Sequence, residues 1–202
     1  MWGHRIAGGM LAIMLGACAG TPAEAPAQTA AVSVPAPLAL DNPFADEFGA
    51  LAALAGTRWR GEPSEAEKAK GQPADISEWS WDLGGTVLVN RHVLENGTYG
   101  GVTYVQRTAS TGSLDYVYVT SAGFRTTGSF TLNDDGSWTS LEMVDGLSDI
   151  KAVRATGRIG EDGTLTSVSE FETEEGWVPG HTFVYRSTDI PLPELVPGLD
   201  VE

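Results

Sequence analysis

Clustered basic residues, metal-ligand spacings and paired cysteines are all missing from this chain. Lys and Arg total 12 against 27 acidic residues, giving a formal net charge of −15 over 202 residues. Phosphate binding needs grouped Lys and Arg to release counterions, and no such group exists, so nucleic acid is not an expected partner. The acidic surplus is spread along the chain and serves solubility. Only three histidines occur, His4, His92 and His181, with no H-x-x-x-H pair and no D-x-D-x-D-G loop, so no metal site is expected. There is no G-x-S-x-G elbow and no phosphate loop, and Gly100-Gly101 lacks the helix that a dinucleotide fingerprint requires. One cysteine, Cys18, leaves nothing to form an internal disulfide.

The longest apolar run, Ile6 to Leu15, is ten residues. A spanning helix needs about 20, so the run reads as a secretory signal preceded by His4 and Arg5. Leu15-Gly16-Ala17-Cys18 resembles the bacterial lipobox. That resemblance implies cleavage before Cys18, a diacylglycerol thioether on its thiol, and an acylated new amino terminus. Residues 1–17 are then the signal peptide. Several acyl chains, each buried methylene contributing about 0.8 kcal/mol, hold such a protein at a membrane. Ala19 rather than aspartate after the cysteine implies sorting to the outer membrane, with the protein on the periplasmic face of the envelope. Residues 18–41, dominated by Ala and Pro without apolar periodicity, form a disordered tether. Residues 188–202 form an acidic, proline-containing tail.

Between these ends, residues 42–187 are expected to form one all-β domain. It opens with a helix: Asn42 caps, Pro43 takes the first position, Asp46 and Glu47 fill the first turn, and Gly56 ends it. Phe44, Phe48, Leu51 and Leu54/Ala55 share one face and read as a core-facing plug. After Gly56 the hydrophobic period becomes two. Ten strands are expected, at Thr57–Gly61, Ile76–Leu83, Thr86–Glu95, Thr98–Ala109, Leu114–Thr120, Phe124–Leu132, Ser137–Asp145, Ile150–Ile159, Leu165–Phe171 and Trp177–Ser187. Glycine pairs, Asn96-Gly97, Asp135-Gly136 and Asp162-Gly163 separate them and favour antiparallel hairpins. An open meander would expose two edges, so closure into an up-and-down barrel is expected. Aliphatic side chains do not fill a barrel of that width, which predicts a cavity or a layer of buried polar residues.

Leu51–Thr57 leading into Trp59-Arg60-Gly61 resembles the opening of bacterial calycin-like barrels, small relatives of lipocalins. Glu78–Gly85, Tyr99-Gly100-Gly101, Ser121–Gly128 and Gly176–His181 extend the likeness to an uncharacterised bacterial domain-of-unknown-function family of lipocalin-like barrels, often secreted or lipid-anchored. The resemblance covers roughly residues 51–187. It implies a calycin fold and ligand binding in a cavity, without a substrate or a catalytic set.

Inward polar groups and aromatics are the candidate ligand contacts: Trp81, His92, Tyr118, Phe124, Glu142, Glu170 and His181. His92 runs in phase with Leu88, Asn90 and Leu94, with Arg91 on the opposite face; His181 runs in phase with Phe183 and Tyr185. Each of these either lines the cavity or lies on the outer wall. The leading expectation is a lipid-anchored envelope protein, without a cofactor, that binds a small apolar or amphipathic molecule in a cavity of at least about 300 Å³. Three alternatives stand beside it. One is a haem barrel of the nitrobindin type using His92 or His181, although Gly56–Gly61 is one residue longer than the nitrobindin G-x-W-x-G opening. The second is an enzyme using Glu142 or Glu170 with a buried histidine. The third is a filled barrel acting as an interaction module.

Overall fold

Asn96-Gly97 and Asp162-Gly163 turn the chain with glycine φ values of +73° and +75°, which side chains other than glycine rarely adopt. Short turns of this kind join most strands to their antiparallel neighbours. In the computed structural model, which describes residues 42–196, the strands are β1 Arg58–Pro63, β2 Asp75–Asp82, β3 Val87–Leu94, β4 Gly100–Arg107, β5 Leu114–Thr120, β6 Arg125–Leu132, β7 Trp138–Asp145, β8 Ala152–Ile159, β9 Leu165–Thr173 and β10 Gly176–Ser187. Every strand pairs with its sequence neighbours, and β1 pairs with β10, so the ten strands close an up-and-down barrel. The architecture is therefore all-β, compatible with a calycin-like fold, and closure leaves no free edge. The signal peptide, Cys18 and the whole tether lie outside the described residues.

One end of the barrel is plugged by the amino-terminal segment. The expected continuous helix is instead a four-residue α1, Ala45–Phe48, followed by a 3₁₀ stretch, Gly49–Leu54. Gly49 breaks it: its φ is +50°, and a Cβ there would lie 2.7 Å from Leu132 Cδ1, so the chain bends where Leu132 approaches. Asn42 does not cap α1 directly. Its amide donates to the Gly85 carbonyl at 3.0 Å and its Oδ1 accepts from the Phe44 N–H, tying the segment to the β2–β3 turn. The apolar stripe still does what its spacing predicts, because Phe48, Leu51 and Leu54 are buried against Trp59, Trp79, Leu88, Val105 and Leu114. Burial of each such side chain contributes about 1.5–3 kcal/mol.

At the other end, the β1–β2 connection carries a short helix, α2, Glu65–Lys68. Ser64 and Glu67 close a capping box around its first turn. Glycines inside the barrel make room for large neighbours on the adjoining strands. Gly61 stands opposite Tyr185 and Gly157 opposite Trp138, and a Cβ at either would collide with the facing ring. The wall thus concentrates aromatic rings on the inner face without overfilling it.

Candidate functional site

Alternation along β2 and β3 turns Asp75, Ser77 and Trp79 inward, together with Leu88, Asn90 and His92, and leaves Arg91 exposed. Pairing of Ser77 with His92 in the ladder brings the His92 imidazole beside the Asp75 carboxylate. His92 Nδ1 lies 2.8 Å from Asp75 Oδ1, and His92 Nε2 lies 2.7 Å from the Tyr118 hydroxyl. The Tyr118 hydroxyl is 2.7 Å from that of Tyr99, and the Tyr185 hydroxyl donates to Asp75 Oδ2 at 3.1 Å. Five side chains from four strands and one connection therefore form a continuous hydrogen-bonded chain. Gly101 permits it, since a Cβ there would collide with the Tyr118 ring.

The donors in this chain can be assigned. Asp75 accepts from both sides, so His92 carries its proton on Nδ1, and a neutral ring then accepts the Tyr118 O–H at Nε2. Tyr118 in turn accepts from Tyr99. Burial raises the pKa of Tyr118 well above the ordinary phenol range, and the neighbouring Tyr99 adds to it. Tyr185 is raised by burial and by Asp75. The phenols therefore remain protonated and work as hydrogen-bonding groups, not as bases.

This chain borders a cavity of about 260 Å³ inside the barrel. That falls short of the expected minimum of about 300 Å³, the lower end for drug-sized ligands, because aromatic rings and polar side chains take up much of the interior, and it leaves room only for a small molecule. Tyr116, Phe130, Trp138 and Leu165 supply apolar lining, while Ser77, Asn90, Thr103, Ser140 and Ser167 make the wall more polar than the sequence pattern implies. Glu142 also lines it. Its carboxylate accepts from Thr126, a buried hydroxyl, and burial raises its pKa while the Thr126 and Tyr116 hydroxyls partly offset that effect.

The seven ligand-contact candidates fall in different places. His92, Tyr118 and Glu142 line the cavity together. Phe124, in the β5–β6 connection, stands 6.5 Å from the rings of both Tyr99 and Tyr118, behind the lining. Trp81 packs edge-on against Phe48 at 4.9 Å, in the plug core. Glu170 points outward to Arg154, whose Nε is 2.6 Å away and whose guanidinium lies over Trp177. His181 sits at the rim away from the plug. A bulge between Pro179 and Thr182 turns it toward Glu67 of α2, 2.6 Å from Nδ1, with Phe171 and Phe183 beside the ring. Burial would raise the Glu67 pKa, but hydrogen bonds from His181, Ser64 and Thr182 outweigh it and hold the carboxyl below its ordinary range.

Neither histidine is paired with Glu142 or Glu170: the carboxylate of His92 is Asp75 and that of His181 is Glu67. For haem, the fit is poor at His92, since both ring nitrogens are engaged and a macrocycle needs more room than this cavity offers. Asp75 and Glu67 belong to these clusters without a signal in the strand pattern, Asp75 standing one residue before the expected second strand, whereas Tyr99 lies within the expected fourth strand, Thr98–Ala109, in phase with Gly101 and the cavity-lining Thr103. Ser64-x-x-Glu67 is a legible capping-box pattern and marks α2. No protein-family model and no curated protein matches the chain.

Proposed function

We propose that this protein is a binding barrel that holds a small amphipathic molecule in its central cavity, displayed at an envelope membrane through lipid on Cys18. The observation that carries the reading is the Asp75–His92–Tyr118–Tyr99 chain along one side of a space that the barrel leaves unfilled. Buried polar groups are costly unless paired, and here they pair with one another while still presenting hydroxyl and imidazole edges beside aromatic rings. The lipobox-like Leu15–Cys18 and the likeness to lipid-anchored lipocalin-like barrels support placement at the outer membrane. Native mass spectrometry of protein extracted from its own membranes tests both parts. Acylated Cys18 and a co-purifying small molecule are expected; an unlipidated, unliganded protein contradicts the reading.

A second reading, acid–base catalysis, is favoured by the His92 imidazole held between Asp75 and Tyr118 at the cavity wall. It requires turnover of the bound molecule that disappears in His92→Gln while binding persists. Release of the co-purified molecule in unaltered form, with none consumed on prolonged incubation, removes it.

A further inference from the structure

The charge inside the barrel is one-sided. Asp75 and Glu142 both face the cavity. Among the described residues every Lys and Arg lies on the outer wall or in a connection: Arg58 with Glu78, Arg60 with Glu62 and Glu95, Arg125 with Asp145, Arg154 with Glu170, and the rest exposed. His92 is the only interior group among them able to carry positive charge, and its contact is with Asp75, which is 4% exposed. Glu142 has hydroxyl partners alone. A carboxylate removed from water without a cation is costly, and a protein usually pairs it. In this barrel the wall leaves the pairing of Glu142 open.

The surroundings of Glu142 are aromatic. Tyr116 and Phe130 stand with ring centroids 4.6 Å apart, and Tyr118 and Trp138 line the same space. Ring faces attract cations, most strongly where water is excluded. Trp79 also lines the cavity; it is 9% exposed and its indole N–H has no acceptor. That nitrogen is closed off from the cavity, so Trp79 offers the space its ring and not its N–H. An anion would meet two carboxylates and no Lys or Arg, so the electrostatics discriminate against it.

We propose that the cavity selects a small organic cation, an alkylammonium group held by Glu142 and the Tyr116, Tyr118 and Trp138 rings. This rests on the binding reading above and names the chemical class of its ligand. Entry of the cation favours the ionised form of Glu142, so binding releases a proton wherever that carboxyl is protonated in the empty barrel.

Isothermal titration of the full chain with choline, with butylammonium, and with the uncharged isostere of choline in which tert-butyl replaces trimethylammonium separates charge from shape. At least one cation binds ten or more times tighter than the isostere, with proton release seen as a buffer-dependent enthalpy. Glu142→Gln reduces cation affinity at least fivefold and leaves isostere binding unchanged, its fold being checked by thermal melting. Equal or tighter binding of the isostere overturns the cation proposal and leaves the binding reading standing. A folded Glu142→Gln that retains full cation affinity overturns the proposal in the same way. Failure of all three probes to bind overturns it on the unmutated protein, while the ligand co-purified from membranes decides the binding reading separately.

Discussion

His92 Nδ1 lies 2.8 Å from Asp75 Oδ1, inside a barrel whose remaining interior carries no other basic side chain among the described residues. Two strands that are adjacent in the ladder create this pair, and the Tyr185 hydroxyl completes the shell of Asp75 from the strand on the other side of β1. Removing the carboxylate leaves the His92 N–H and the Tyr185 O–H without a partner. Asp75→Ala is therefore expected to cost about 3 kcal/mol of unfolding free energy in urea titration. Tyr185→Phe, which removes one donor and leaves the ring, is expected to cost about 1 kcal/mol.

Glu142 gives the protein a characteristic pH dependence. Its pKa is raised in the folded state, so the protonated form is the one favoured by folding. Its contribution is thus fully present below the ordinary glutamate range and is lost as pH rises through the raised value. Glu142→Gln mimics the protonated carboxyl at every pH. The variant is expected to gain on the unmutated, ligand-free protein by on the order of 1 kcal/mol as pH climbs from the ordinary glutamate range to neutrality. Thermal melts of the two proteins across that interval check this, and parallel curves would show that Glu142 titrates as an exposed group does.

The barrel wall is shaped by glycine as much as by aromatics. Gly157→Ala drives a methyl group into the Trp138 ring, which has the plug core behind it. A loss of about 1–3 kcal/mol is expected from this overpacking, read in urea melts with Trp fluorescence as the signal.

Ten strands, their antiparallel pairing and closure were legible because alternation and glycine turns act locally. The plug was legible for the same reason, since Phe48, Leu51 and Leu54 repeat at helical spacing even where the backbone becomes 3₁₀. The site was legible only in part. His92 and Glu142 lie mid-strand, where phase decides the face, whereas Glu170 has the same kind of setting and faces Arg154 outside. Nothing in the sequence separates these two glutamates, because inward or outward direction depends on the register that the neighbouring strands impose. The bulge that turns His181 toward Glu67 involves partners 114 residues apart, a relation set by barrel closure.

The plug is expected to carry stability independently of the cavity. Leu54 is fully buried in the core that Phe48, Trp59 and Trp79 share, so Leu54→Ala should cost about 2–5 kcal/mol in calorimetric unfolding. Affinity for a cavity ligand, measured below the lowered melting temperature, is expected to stay within about twofold, because Leu54 is not part of the lining.

Cys18→Ser tests the anchoring. Without a thiol no thioether forms, so the protein is expected to move from the membrane to the soluble fraction with its melting temperature unchanged. Retention in the membrane fraction would contradict lipidation as the anchor.

If the barrel interior is a binding site, protein purified from its own membranes should carry its ligand there, and electron density from crystals of that protein reads the interior directly. An organic molecule is expected in contact with Tyr118 and Glu142, with a positively charged group near the latter. Ordered water filling the same space, with His92 and Glu142 in contact with water alone, would contradict binding as the role of the barrel.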